Sequence, residues 1–109
     1  MLAVACVSQS ADAPLSGLDV GERPEPADRE GWVRVRIRAA ALNHHDLWSL
    51  KGVGLPADRL PMILGCDGAG VLDDGAEVVV HAVIGGAAAG GGDETLDPRR
   101  TLLSELHPG

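Results

Sequence analysis

Two stretches carry side chains able to do chemistry: LNHHDLW at 42–48 and GCDGAG at 65–70. The first sets His44 and His45 beside Asp46, directly after a run that alternates apolar and charged residues. Neighbouring residues on a helix point about 100° apart, so the two imidazoles cannot easily bind one metal ion together. At most one of them faces a pocket. Asn43 is a favoured N-cap residue, and Asp46 falls at the third helical position, where an acid suits the helix dipole. Two readings stand. The stretch is a capped helix start with solvated side chains, or it is a site in which His45 relays protons, imidazole being suited to that near neutral pH.

GCDGAG has glycines, but not those of a dinucleotide fingerprint, which needs Gly at 65, 67 and 70 where this chain has Asp67 in the middle. GGAAAGGG at 85–92 has glycine at almost any chosen spacing and no periodic helix close behind it, so neither cluster is a phosphate loop. Cys66 and Asp67 are both zinc-ligand types. Two neighbours do not make a site, which needs three or four convergent ligands, and a lone cysteine is ordinarily a small buried hydrophobe.

The elements that must position these residues are short and mostly extended. Residues 1–8 read as a strand and GLDVGERPEP as a second extended piece ending in prolines. In WVRVRIRAAA, Val33, Val35, Ile37 and Ala39 alternate with Arg34, Arg36 and Arg38, the period of a half-buried strand with a solvated arginine face. HHDLWSLKG then reads as a short helix stopped by Gly52, and Pro56 and Pro61 make the next stretch a loop. MILGCDGAGVL returns to extended chain, its glycines suggesting tight backbone approach. Asp74-Gly75 is a two-residue hairpin signal, and EVVVHAVI a buried strand. Asp97 before Pro98 resembles a helix start, with Leu102, Leu103 and Leu106 along one side. Many short strands and little helix make the fold class mainly β, a small barrel or part of one.

Composition narrows the function classes. At 109 residues the chain is one domain at most. It has two Trp and no Phe or Tyr, so Val, Leu, Ile and Ala must do most of the packing, and its 15 glycines raise the entropy lost on folding. A net charge of −7 without a basic stripe argues against nucleic acid and anionic membranes as partners. Cys6 and Cys66 form no close-spaced pair, which fits a reducing, cytoplasmic setting. MLAVACV has no basic flank and is short for a signal peptide, and the uncharged stretch 78–92 is too short and glycine-rich to span a bilayer.

The order of these pieces resembles the start of the medium-chain dehydrogenase/reductase superfamily: VRVRIRAAALNHHDLW, a proline loop, LPMILGCDGAGV, then GAEVVVHAVI. The resemblance covers residues 1–84 and implies an incomplete GroES-like β-barrel, the alcohol-dehydrogenase N-terminal domain. Residues 85–109 are read as a Gly/Ala-rich linker and short helical tail. In the family a Rossmann domain that binds NAD(P)H follows the barrel, and no Rossmann fingerprint is present here. Where zinc members have the first Cys ligand stands Asn43, where they have the hydroxyl residue that contacts the substrate alcohol stands His45, and the aspartate after it matches Asp46. The family's GHE reads GCD, which places Cys66 and Asp67 at its His ligand and acidic residue. A third Cys ligand falls beyond Gly109, and the four-Cys structural zinc lobe has no counterpart. Asn43 resembles the zinc-free quinone reductase branch.

The resemblance therefore implies the substrate-cleft part of an NAD(P)H-dependent oxidoreductase acting on a small carbonyl, quinone or activated alkene. Asn43, His45 and Asp46 are its candidate catalytic residues, with Asn43 and His45 as hydrogen-bond donors in place of a metal. Alone, the piece is expected to be inactive; complete, it would have a missing Rossmann domain restored and could form a homodimer. A variant reading keeps a metal through Cys66, Asp67 and a histidine. A rival from another class is a non-catalytic β-barrel interaction module or degenerate remnant.

Overall fold

The computed structural model describes residues 1–28, 30–81, 83–84 and 101–102. Its strands are β1 (Leu2–Cys6), β2 (Leu18–Glu22), β3 (Arg36–Ala39), β4 (Met62–Ile63), β5 (Ala69–Val71), β6 (Glu77–Val79), β7 (Val83–Ile84) and β8 (Thr101–Leu102); the helix α1 spans His44–Lys51. Strands dominate, as the alternating pattern requires. They form three small antiparallel sheets, in the orders β2-β1-β4, β3-β5-β6 and β7-β8. Among the described residues these do not close into a barrel.

The core lies where β1, β4, α1 and the loop after α1 meet. Ala5, Cys6, Leu50, Leu55, Met62 and Cys66 are buried there together with Ser49. Leu50 and Met62 are the large members, each contributing roughly 1.5–3 kcal/mol by burial. Of the Val, Leu, Ile and Ala expected to do most of the packing, Leu50, Leu55 and Ala5 do so, but no Val or Ile is buried among the described residues, and the sulfur side chains of Cys6, Met62 and Cys66 complete the core. Burial pushes the Cys6 thiol's pKa up, keeping it neutral, and the thiol donates to the Ser8 carbonyl at 3.2 Å. Neither cysteine is in a disulfide.

The middle sheet departs from the alternation reading. The strand expected from Val33 begins only at Arg36, whose partner is Val71. Beyond Val71 the chain turns back at 72–76, so β5 offers 32–35 no further residues to pair with. Arg34 is instead drawn to Asp28 at 3.0 Å, to Glu25 and to the Pro26 carbonyl. Every β3 residue is exposed, Ile37 by 55%, and of the four alternating apolar residues only Val35 is half-buried. EVVVHAVI is likewise not one buried strand. It contributes β6, a sheet edge with Val79 85% exposed, and then β7 in another sheet.

The turn between β5 and β6 spans 73–75 with Gly75 at φ 86°, one residue longer than the two-residue loop expected. Leu72 N–H bonds the Ala76 carbonyl across it, and Asp74 accepts from the Ala76 N–H. Thr101–Leu102 pair with Val83–Ile84 as strand, so these two residues are not part of the expected helical tail. The rest of that expectation, and the linker, lie outside the described residues.

Of the three glycines of GCDGAG, Gly70 permits close backbone approach and Gly68 lies against the Ile37 side chain, whereas a Cβ on Gly65 would meet nothing and that residue serves through its positive φ. A Cβ on Gly70 would sit 2.0 Å from the Arg36 carbonyl oxygen, a contact no side chain can make while β3 and β5 stay paired. Gly70→Ala is therefore expected to lower stability by about 2–3 kcal/mol in urea unfolding. A loss below about 0.5 kcal/mol would mean that the two strands are not this close.

Candidate functional site

The helix α1 starts where the sequence places it, with Asn43 extended at φ −132°, ψ 141° and its carbonyl accepting from the Asp46 N–H at 3.1 Å. It ends at Gly52, whose N–H bonds the Ser49 carbonyl while Val53 N–H bonds that of Trp48, the reciprocal pair of a Schellman motif. The side chains at its start do something other than capping. Asn43 makes no side-chain cap bond; its Nδ2 donates to Asp67 Oδ2 at 2.5 Å. Asp46 Oδ1 accepts from the Gly65 backbone N–H at 2.9 Å. Two hydrogen bonds thus join LNHHDLW to GCD, segments about twenty residues apart in sequence. Gly65 holds φ 110°, a backbone state that other residues rarely adopt, and so turns its N–H toward the helix.

The structure brings four of the five candidate residues into one small region: Asn43, Asp46, Asp67 and, next to them in the chain, Cys66. His45 sits on the first turn, half-buried, and its backbone carbonyl accepts from the Ser49 hydroxyl at 3.1 Å. Its imidazole is without a hydrogen-bond partner among the described residues, which leaves both ring nitrogens available. His44 is exposed, as expected if only one of the pair faces inward. A shallow hollow of about 380 Å³, lined by residues 39–41, 67–69 and 79–80, opens beside Asp67. Its walls are mostly small and apolar.

Sequence reasoning missed the residue that fixes the other end of α1. Gln9 Nε2 donates to the Ser49 carbonyl at 3.0 Å and to the Leu55 carbonyl at 2.8 Å. Ser10 N–H adds a bond to the Leu50 carbonyl at 2.9 Å. The Ser10 bond supplies a donor to a last-turn carbonyl of α1, and Gln9 ties the Ser49 carbonyl of the same turn to the Leu55 carbonyl of the loop beyond it. A glutamine in the loop after a strand carries no local signal of this; only the tertiary fold brings it there.

The same geometry bears on zinc. Asn43 offers a neutral amide where a zinc ligand must be a thiolate, imidazole or carboxylate, and its amide nitrogen is committed to Asp67. Among the described residues no three His, Cys, Asp or Glu side chains are grouped to hold a metal ion. The donor types at 43, 66 and 67, an amide, a thiol and a carboxylate, do not by themselves make up a catalytic zinc site.

Comparison with known proteins agrees with this architecture. The alcohol dehydrogenase GroES-like domain matches residues 29–94, more than half the chain. Across its whole length the chain superposes on 35% of a crystal structure of an NAD-dependent alcohol dehydrogenase, with a TM-score of 0.84 and 36% identity. It is 35% identical over 77 residues to the probable S-(hydroxymethyl)glutathione dehydrogenase 1 of Schizosaccharomyces pombe, covering 71% of this chain and 19% of that protein. The chain belongs to the alcohol dehydrogenase GroES-like domain family, within the medium-chain dehydrogenase/reductase superfamily. It spans about a third or less of the relatives it matches. No described helix is long and apolar enough to cross a membrane.

Removing the Gln9 amide should loosen α1 from below. Gln9→Ala is expected to cost about 1 kcal/mol in urea unfolding, the usual value of such hydrogen bonds. Gln9→Glu should cost more at neutral pH, because its carboxylate would face two carbonyl oxygens, and less in acid, where the protonated form regains a donor. Equal losses for both variants at every pH would show that the double bond from Gln9 is not made.

Proposed function

We propose that this chain forms the substrate-binding wall of an NAD(P)H-dependent oxidoreductase that reduces a small carbonyl compound, a quinone or an activated alkene without catalytic zinc. The observation that carries this reading is the start of α1 beside the apolar hollow. Asn43 uses one amide N–H on Asp67 and keeps a second, and His45 has both ring nitrogens available. A substrate oxygen bound there would meet hydrogen-bond donors where the zinc members present a metal. Such donors stabilise charge that develops on oxygen as hydride arrives at the neighbouring carbon. Asp46, engaged by Gly65, acts by holding the helix in place rather than by touching substrate.

The nicotinamide itself would be held by a Rossmann domain, as the similarity to an NAD-dependent alcohol dehydrogenase supports. The hydride comes from the cofactor; this chain contributes the opposite wall, the donors and the exclusion of water. By itself the 109-residue chain is then inactive, and the complete enzyme works in the cytoplasm, where NAD(P)H is at hand.

A second reading is favoured by one observation. Val33, Ile37 and Val79 are all more than half exposed on or beside the middle sheet, Ile37 and Val79 on its opposite faces, which suits a non-catalytic module that binds through this sheet.

Turnover in an enzyme that joins this segment to a nicotinamide-binding domain separates the two. Asn43→Ala and His45→Ala should each lower kcat/KM by about 10²-fold, the scale of losing one donor to a developing oxyanion. Unchanged turnover in both variants would remove them from the chemistry, and no turnover in the parent on any of the three substrate classes would favour the interaction module.

A further inference from the structure

We propose that the Asn43–Asp67 hydrogen bond makes, in this chain, the link between α1 and the 65–67 segment that a metal ion makes in zinc-dependent members, and that the chain takes no zinc there. This deepens the reading above and rests on it only in treating the site as metal-free. Its test uses no turnover, so loss of the catalytic reading in the Asn43→Ala and His45→Ala assays leaves it standing, while cobalt binding would remove the metal-free premise that both share.

Donor chemistry decides how the two side chains meet. An amide has two N–H donors and one carbonyl acceptor, and a carboxylate only accepts. With Asn43 against Asp67 the amide must present nitrogen, because its oxygen would repel the carboxylate. The carboxylate acceptor makes this a charge-assisted bond. A cation placed between the same groups would break it and would gain only Asp67 as an anionic ligand from the pair. Cys66, next in the chain, is buried, and no third ligand completes a group among the described residues. The segments need no metal to stay together, since the Asp46 bond to the Gly65 N–H ties the same two pieces. A hydrogen bond and a backbone tether thus provide, without titrating a thiol or binding an ion, the juxtaposition that the family's ligand set provides elsewhere.

Two measurements on the 109-residue chain test this. Titration with Co²⁺, as the spectroscopic substitute for zinc, should give no thiolate-to-cobalt absorbance band. In ¹H–¹⁵N spectra the two Asn43 side-chain N–H protons should be widely split, one of them shifted downfield by Asp67. Asp67→Ala should collapse that splitting to the value of a solvated amide, and Asp67→Asn, which keeps an acceptor but not the charge, should reduce it partway. The Asn variant preserves the side chain's size and serves if the Ala variant fails to fold. A stoichiometric cobalt band abolished by Cys66→Ser would overturn the proposal. So would an Asn43 splitting that neither substitution at Asp67 changes.

Discussion

The site depends on one contact, the hydrogen bond from the Gly65 N–H to the Asp46 carboxylate. It is made by a backbone donor turned outward by a positive φ and by an acid on the first turn of a helix, so neither partner can move far. Everything chemical hangs on that arrangement. Asn43 reaches Asp67 because α1 begins where Asp46 holds it, and His45 sits on the same first turn. The acid also sits at the positive end of the helix dipole, so its local and tertiary roles reinforce each other.

The helix is fixed from its other end by quite different means. Gln9 and Ser10 occupy its terminal carbonyls, and Leu50 packs into a core small enough to rely on Met62 and two cysteines. A chain with so little aromatic surface gains less from burial than most of its length, and polar contacts of this kind then decide which geometry the loops adopt. The middle sheet, by contrast, buries little among the described residues, and its apolar side chains are left largely in contact with solvent.

How much of this the sequence revealed follows from what is local. The start and stop of α1, the β5–β6 hairpin and the crowding at Gly70 are set by a few adjacent residues, and those were legible. Burial was not. Val33, Val35, Ile37 and Ala39 have the period of a half-buried strand, but period says only that one side is apolar, not that anything covers it. The length of β3 was misjudged for a related reason: a strand extends only as far as its partner does, and β5 stops at Val71. In the site, residue types pointed to Asn43, His45, Asp46, Cys66 and Asp67, and the ordered motifs pointed to the family. The pairing of Asn43 with Asp67 and of Asp46 with Gly65 could not be read, because local capping is an equally good use of the same side chains. Gln9 left no trace at all, its role existing only once β1 and α1 are packed.

The measurement that reaches the central claim most directly is amide hydrogen exchange at Gly65. The residue lies outside any ladder, so its protection comes from the Asp46 carboxylate alone. The account predicts a Gly65 N–H that exchanges at least about tenfold more slowly than an open loop amide, and that loses this protection in Asp46→Ala while amides of β1 keep theirs. A Gly65 N–H that exchanges freely in the parent chain, or whose protection survives the loss of Asp46, would contradict it.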